Sequence, residues 1–170
     1  MNEDAQIHTL EGFFASSMII FTVLMITKSS FIITPQSELA MDVQLKQTAD
    51  DALAVLDVAP KTAFQSNLTE LVAGWDMKEA PQNNSLQELD GELTTQLEDV
   101  IYNIDFAYIG EYNNFTIKNA IIHGKPVENS IVATRLVTLD NSTVRQANGS
   151  WNISSNDIKV VEVRLIAWRI

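Results

Sequence analysis

The residues able to do acid, base or metal chemistry are few and scattered along this chain. It has two histidines, His8 and His123, and no cysteine, which excludes a thiol nucleophile, a disulfide and a thiolate metal site. Adjacent carboxylates occur in "ADDAL" and "LEDV", but neighbours on a helix point to different sides and form no acid/base couple. The six glycines form no phosphate-binding loop or nucleophile elbow. We therefore expect no catalysis, no metal, no cofactor and no small-molecule substrate.

One carboxylate has an unusual position, because Glu11 immediately precedes sixteen uncharged residues, 12–27. As a helix these residues span about 24 Å, against a hydrocarbon core of about 30 Å. Lys28 can snorkel, and the apolar residues 31–33 lengthen the stretch. A cleaved secretory signal and a buried core helix are the alternatives, but no A-x-A site or basic region flanks the stretch. The pattern predicts a single-pass membrane anchor.

The net charge of −11 is concentrated in the middle of the chain, where residues 35–105 hold fourteen acids and three lysines. Nucleic-acid binding needs clustered Lys and Arg, so the sequence predicts no nucleic-acid partner. A solvated helical face explains the acidic block, and a salt-adapted or glycan-coated surface is the alternative.

Two signals disagree about which side of the membrane the larger part occupies. The acidic start and Lys28 would place the C-terminal part in the cytoplasm by the positive-inside rule. Six N-x-[ST] sequons favour export, where chance would give roughly two. The sequon asparagines are Asn67, Asn83, Asn114, Asn141, Asn148 and Asn152. We expect glycosylation at these positions and an extracellular location.

The first half of the chain has helical periodicity. Thr34 and Pro35 suit an N-cap and a first helical position, and Pro35 can also kink a longer helix over residues 7–58. An apolar stripe then follows at Met41, Leu45, Ala49, Leu53 and Leu56. A short helix is predicted over 61–74. A longer one is predicted from a Ser85/Glu88 capping box, with its stripe at Leu86, Leu89, Leu93, Leu97, Val100 and Ile104.

After Asp105 the sequence becomes rich in β-branched and aromatic residues, and five strands are predicted, in "FAYIG", "NFTIKNAIIHG", "SIVATRLVTLD", "STVRQ" and "IKVVEVRLIAW". Asp140-Asn141 is read as a hairpin turn. In the last strand, Glu162, Arg164 and Trp168 share one face and four apolar residues share the other; these four are Val161, Val163, Leu165 and Ala167. His123 is expected at a strand end, and the three tryptophans in packing. The fold class is α+β, with helices leading into an antiparallel sheet.

Both ends of the chain carry a family resemblance. "QIHTLEGFF" resembles the class III signal region of archaeal type IV pilin-like proteins, in which Leu-Glu-Gly introduces the hydrophobic helix. "NSIVATRLVTLDN" and "VVEVRLIAWRI" resemble a largely uncharacterised family of archaeal pilin-like surface proteins. The leader differs from the usual basic one, because it carries Glu3 and Asp4 and no Lys or Arg.

The resemblance implies three regions: a signal and membrane helix (1–34), an amphipathic extension (35–58) and an extracellular α+β head (59–170). It implies that a prepilin-type peptidase cuts near Ala5, Gln6 and Ile7. Glu11 would meet the new N-terminal amine of a sibling subunit, which relieves the cost of an unpaired carboxylate in hydrocarbon. Gly12 and the small residues after it would permit close helix approach. A monomeric tethered surface protein is the alternative, with Glu11 at headgroup depth, stabilised by the helix dipole.

Overall fold

A computed structural model of the chain describes residues 3–29, 35–58, 66–110 and 113–169. The elements are, in order, α1 (Glu3–Ser29), α2 (Pro35–Val58), α3 (Asn67–Ala73), α4 (Gln87–Gln96), β1 (Ile101–Ile109), β2 (Phe115–Ile122), β3 (Ile131–Asp140), α5 (Asn141–Gln146) and β4 (Ile158–Trp168). They form two compact units, Met1–Leu39 and Ala40–Ile170, and we call the second the head unit. The α+β class predicted from the sequence is confirmed.

The amphipathic stripe of α2 supplies one side of the core of the head unit. Leu45, Ala49, Leu53 and Leu56 are buried, as their spacing predicts, whereas Met41 is exposed. The polar side makes an ion pair between Lys46 and Asp50 at 3.1 Å, and the Lys46 ammonium also donates to the carbonyl of Val132 in β3. The predicted kink near Pro35 and the Thr34 cap involve residues 30–34, which lie outside the described residues.

The sheet has four antiparallel strands in the order β2-β1-β4-β3. β1 and β4 are therefore the inner strands, and a register shift between Ile104 and Asp105 interrupts the pairing of β1 with β2. β4 buries Val161, Val163, Leu165 and Ala167, the four residues that the alternation predicts for one face. These residues oppose aromatic and apolar side chains of β1, with Phe106 facing Val163 and Tyr108 facing Val161. Alternation thus divides the sheet into a core face and an outer face.

Aromatic side chains fill the centre of the core. Trp75 packs edge to face against Phe106 and Trp151, with ring centroids 5.1 and 5.4 Å apart. The indole of Trp75 donates to the carbonyl of Lys78, and that of Trp151 donates to the carbonyl of Val72. Buried indole N–H groups usually find such partners. The prediction that the tryptophans serve packing is confirmed, and Trp168 is buried as well.

The predicted helix from Ser85 to Ile104 is too long. α4 ends at Gln96, Asp99 has a positive φ of 60°, and β1 begins at Ile101. Ile104 is therefore a strand residue, and β1 starts five residues before the predicted "FAYIG". The capping box is also wrong, because the Ser85 hydroxyl accepts from the Asp76 N–H and donates to the Gly74 carbonyl.

The predicted strand "STVRQ" is the short helix α5, and Asp140-Asn141 is not a hairpin turn. Asp140 is the N-cap of α5, and its carboxylate accepts bonds from the Thr143 N–H at 2.7 Å and the Thr143 hydroxyl at 2.6 Å. The Ser142 hydroxyl donates to it too. An Asp that satisfies the free N–H groups of a first turn favours helix over strand. The other short helix, α3, lies within the predicted span 61–74, of which 61–65 are outside the described residues.

Replacing Asp140 with Ala is expected to lower the melting temperature at pH 7 by a few degrees, because the cap is lost. The hydrogen bonds from Thr143 and then Ser142 hold the pKa of the Asp140 carboxyl below its usual value. A lowered pKa in the folded state stabilises above the unfolded value and is lost as pH falls through the folded value. The melting difference from wild type should therefore shrink below about pH 4. Asp140→Asn, which can still cap, is the control, and an equal loss for both variants would contradict the capping role.

Candidate membrane and assembly site

The first unit presents an apolar helix with exposed side chains. Within α1, the 18 residues Leu10–Thr27 are apolar enough and long enough to cross a membrane, and none of them is buried. The exposed side chains include Phe13, Met18, Ile20 and Leu24. Side chains of this kind are normally buried in a core, in an interface or in lipid.

Three of the four hydroxyl groups within this stretch donate to carbonyls of their own helix. Ser16 donates to the Phe13 carbonyl, Thr22 to the Met18 carbonyl and Thr27 to the Val23 carbonyl, at 2.8–2.9 Å. A free hydroxyl in hydrocarbon costs several kcal/mol, so this back-bonding makes the three residues compatible with lipid. The coarse prediction of a helix able to anchor the protein therefore agrees with the structure.

Glu11 lies one residue inside the N-terminal end of the apolar stretch and is exposed. Its carboxylate lies 3.4 Å from Nδ1 of His8, one turn earlier and equally exposed. A Cβ added at Gly12 would meet nothing within 4 Å, so nothing within the described chain requires glycine there. The site thus combines a carboxylate, a histidine and a residue without a side chain at the end of an apolar helix.

The predicted processing residues Ala5, Gln6 and Ile7 have helical backbone in the first turns of α1. A peptidase that cuts here would act on a locally unwound turn, because proteolytic sites bind extended backbone. A helix end is the part that unwinds most readily, since its first N–H groups have no partners within the helix.

The six sequon asparagines differ in exposure. Asn83, Asn114, Asn148 and Asn152 are exposed, whereas Asn67 and Asn141 are half-buried. Nδ2 of Asn141, the atom to which a glycan attaches, donates to the carbonyl of Ile153 at 2.7 Å. A glycan would replace one of the two hydrogens on this half-buried nitrogen and would need space beside the bond, so the four exposed asparagines are the better acceptors.

His123 belongs to a polar network that the sequence did not reveal. Its Nε2 lies 2.7 Å from Oδ1 of Asp90, and its ring contacts Tyr102 edge to face. The Tyr102 hydroxyl donates to the same Asp90 oxygen. Burial raises the pKa of Tyr102, and the Asp90 carboxylate raises it further, so the phenol stays protonated and donates. The pairing joins residues 33 positions apart, which no spacing rule would detect.

This network borders a shallow groove of about 250 Å³, whose lining includes Asn83, Asn84 and Gln87. Asn84 is committed to the fold, because its amide donates to the carbonyl of Ala120 at 2.6 Å. Among the described residues, no three His, Asp or Glu side chains are grouped so that they could hold a metal ion. The network's hydrogen bonds join α4 to β1 and to the end of β2. Holding these elements together is a structural role that explains the network.

Comparisons with known proteins give matches that cover nearly the whole chain. An uncharacterized protein of Archaeoglobus fulgidus is 27% identical over 175 residues, covering 99% of this chain and 94% of the relative. No solved structure matches the chain significantly. A family model described as a family of unknown function, DUF7288, matches residues 4–167. Because that match takes in both the apolar helix and the sheet, the protein belongs to the family DUF7288.

Proposed function

We propose that this protein is a pilin-like, membrane-anchored surface protein that acts as a subunit or accessory component of a type IV pilus-like assembly or secretion system. The head is extracellular, the protein crosses the membrane once, and it catalyses no reaction. Its partners are the membrane, sibling pilin-like subunits and a prepilin-type peptidase that cuts near Gln6. The exposed sequons support the extracellular placement of the head.

The observation that carries the proposal is the exposed apolar stretch of α1 with one carboxylate at its N-terminal end. A plain anchor needs the apolar residues but has no use for a charge inside their boundary, where it is costly. A partner amine would offset that cost, and a second subunit can supply one. The bare backbone at Gly12 leaves space for such a neighbour.

A monomeric, single-pass surface protein is the second candidate, and the His8–Glu11 pair favours it. A histidine 3.4 Å from the carboxylate gives Glu11 a partner within its own helix. The tethered protein then needs no sibling subunit, and Glu11 marks only the headgroup boundary.

Substitutions of Glu11 separate the two candidates. We expect Glu11→Ala and Glu11→Gln to reduce recovery in higher-order complexes at least tenfold, because both remove the charge that meets the partner amine. Total expression and membrane association should stay unchanged. The measurement is chemical cross-linking in native membranes followed by native electrophoresis. Mass spectrometry of the same sample should show a mature chain beginning at Gln6 or Ile7.

His8→Ala is the matched control, because it removes the intrahelical partner and leaves the carboxylate. It should form complexes as wild type does. Unchanged complexes in Glu11→Ala would contradict assembly through this residue. An intact Met1, or a mature chain that starts beyond residue 30, would contradict pilin-type processing.

A further inference from the structure

The outer face of the sheet is unusually apolar. Its exposed large side chains come from all four strands and comprise Ile109, Phe115, Ile117, Ile122, Val132, Leu136, Ile158 and Val160. An antiparallel sheet with one solvated face normally carries polar residues there. A contiguous apolar patch of this kind marks an interaction surface.

The strand register arranges the outer face in rows that run across the strands. The middle row holds Asn119 on β2, Asp105 on β1, Arg164 on β4 and Thr134 on β3. The row on one side has Ile117 and Leu136 on the two edge strands, and the row on the other side has Ile122 and Val132 there. On the inner strands the first of these rows also holds Ala107 and Glu162, and the second holds Asn103 and Ile166. The edge strands are therefore apolar on both sides of the polar middle row, while each flanking row keeps one polar residue on an inner strand.

We propose that the outer face binds the outer face of a second copy of this chain, with a two-fold axis between the sheets and parallel to the strands. This operation places β1 over the partner's β4, and β2 over the partner's β3, within the same row. Ile117 then faces Leu136, Ile122 faces Val132 and Asn119 faces Thr134, so like chemistry meets along the edge strands. Over the inner strands, a long side chain faces a shorter one, with Glu162 over Ala107 and Ile166 over Asn103. Such an isologous arrangement is the commonest form of homodimer.

Charge complementarity selects this axis over the alternative. Asp105 would lie opposite Arg164 of the second copy, and Arg164 opposite its Asp105, which gives two opposite-charge pairs. An axis that runs across the strands would instead place Asp105 over Asp105, which is repulsive. Nε of Arg164 is buried and has no hydrogen-bond partner among the described residues, while Asp105 accepts from the Asn119 amide at 2.8 Å. Because Nε is buried, the terminal guanidinium nitrogens of Arg164 would make the pair with the second copy, reaching down to Asp105, which is 9% exposed.

The area of the face is sufficient for a specific contact. Four strands about 4.8 Å apart and about eight residues at 3.3 Å each give roughly 500 Å² per copy. Two copies bury about 1,000 Å², which is the lower limit for a specific interface. None of the six sequon asparagines occupies an outer-face position, so glycans would not block the contact. The inference does not rest on α1 or on the pilin-like function.

Disulfide cross-linking of the full chain in detergent micelles tests this arrangement, because the natural chain has no cysteine. Ile117→Cys and Leu136→Cys are made separately, mixed in equal amounts and oxidised. The mixture should give at least tenfold more cross-linked dimer than either variant alone. Two copies of Leu136, or two copies of Ile117, lie on opposite edges of the pair, about 14 Å apart across the strands, which is too far for a disulfide.

The matched control mixes Leu136→Cys with Val127→Cys, because Val127 replaces Ile117 at nearly the same exposure, 45% against 46%, and lies outside the sheet. This mixture should give no more dimer than the single variants. Equal cross-linking in the test and control mixtures would overturn the proposal, as would efficient cross-linking of Leu136→Cys alone. All the cysteine positions lie in the head unit and none in α1, so failure of the pilin-like function would not be mistaken for failure of the dimer.

Discussion

Replacing Ile20 with Asp is expected to move most of the protein from the membrane to the soluble fraction. Ile20 lies near the middle of Leu10–Thr27 and is 60% exposed. An Asp at the centre of a spanning helix costs about 2.5–3.5 kcal/mol, roughly a hundredfold in the insertion equilibrium. The span is 18 residues, which is about 27 Å and leaves little reserve against that cost.

Alkaline extraction followed by ultracentrifugation measures this partition. The control is Ile158→Asp, the same change at a 70% exposed isoleucine of the head unit. That variant should remain with the membrane as wild type does. If Ile20→Asp also stayed there, α1 would not be the anchor, and the proposed location of the protein would be wrong.

Gly149→Ala is expected to destabilise the head unit by about 3 kcal/mol or more, lowering the melting temperature by about 10 °C. A Cβ at Gly149 would lie 1.7 Å from the carbonyl oxygen of Ala73, which is a backbone atom and cannot rotate away. The neighbouring Ser150 N–H donates to the carbonyl of Trp75. Any shift of this segment would therefore disturb the central aromatic core.

Gly91→Ala is the matched control for this measurement. Gly91 is inside α4, and a Cβ there would meet nothing within 4 Å. Ala lowers the entropy of the unfolded chain and suits a helix, so we expect a gain of about 0.5–1 kcal/mol. Thermal unfolding followed by circular dichroism measures both variants. Similar melting temperatures for the two would show that the contact at Gly149 has been misjudged.

The sequence predicted correctly those helices and strands that bury one face only, because their apolar residues recur at a regular spacing. The stripe from Leu45 to Leu56 and the alternation from Val161 to Ala167 each follow directly from one buried face. A helical period and a strand period are distinct in such segments, so the fold class and the buried faces follow from the order of apolar and polar residues alone.

Prediction failed where two patterns overlapped or where a cap decided the outcome. Val100 and Ile104 continue the helical spacing of α4, yet Tyr102, Ile104, Phe106 and Tyr108 also alternate, and pairing with β4 favours the strand. In α5, "STVRQ" has β-branched residues, but the Asp140 cap outweighs their preference. Strand pairing and helix capping can each override the intrinsic propensity of a residue. Propensity alone therefore could not tell helix from strand in these two segments.

The candidate sites also differ in whether the sequence could reveal them. Glu11 was found from the sequence because a charge beside an apolar stretch is a local feature. The rows of the outer face depend on strand order and register, and the Asp90–His123 pair depends on where α4 packs. Features assembled from separate elements required the structure.

The strand order has a consequence for the timing of folding. β4 is made after the other three strands, yet it lies between β1 and β3, and β3 pairs with no described strand except β4. A growing chain can form the β1–β2 hairpin, but it cannot close the sheet until residue 168 has emerged. Folding of the head must therefore wait until β4 has been made, because the long-range pairing comes last. This delay suits the proposed export of the head, since a polypeptide crosses a translocation channel only while it is unfolded.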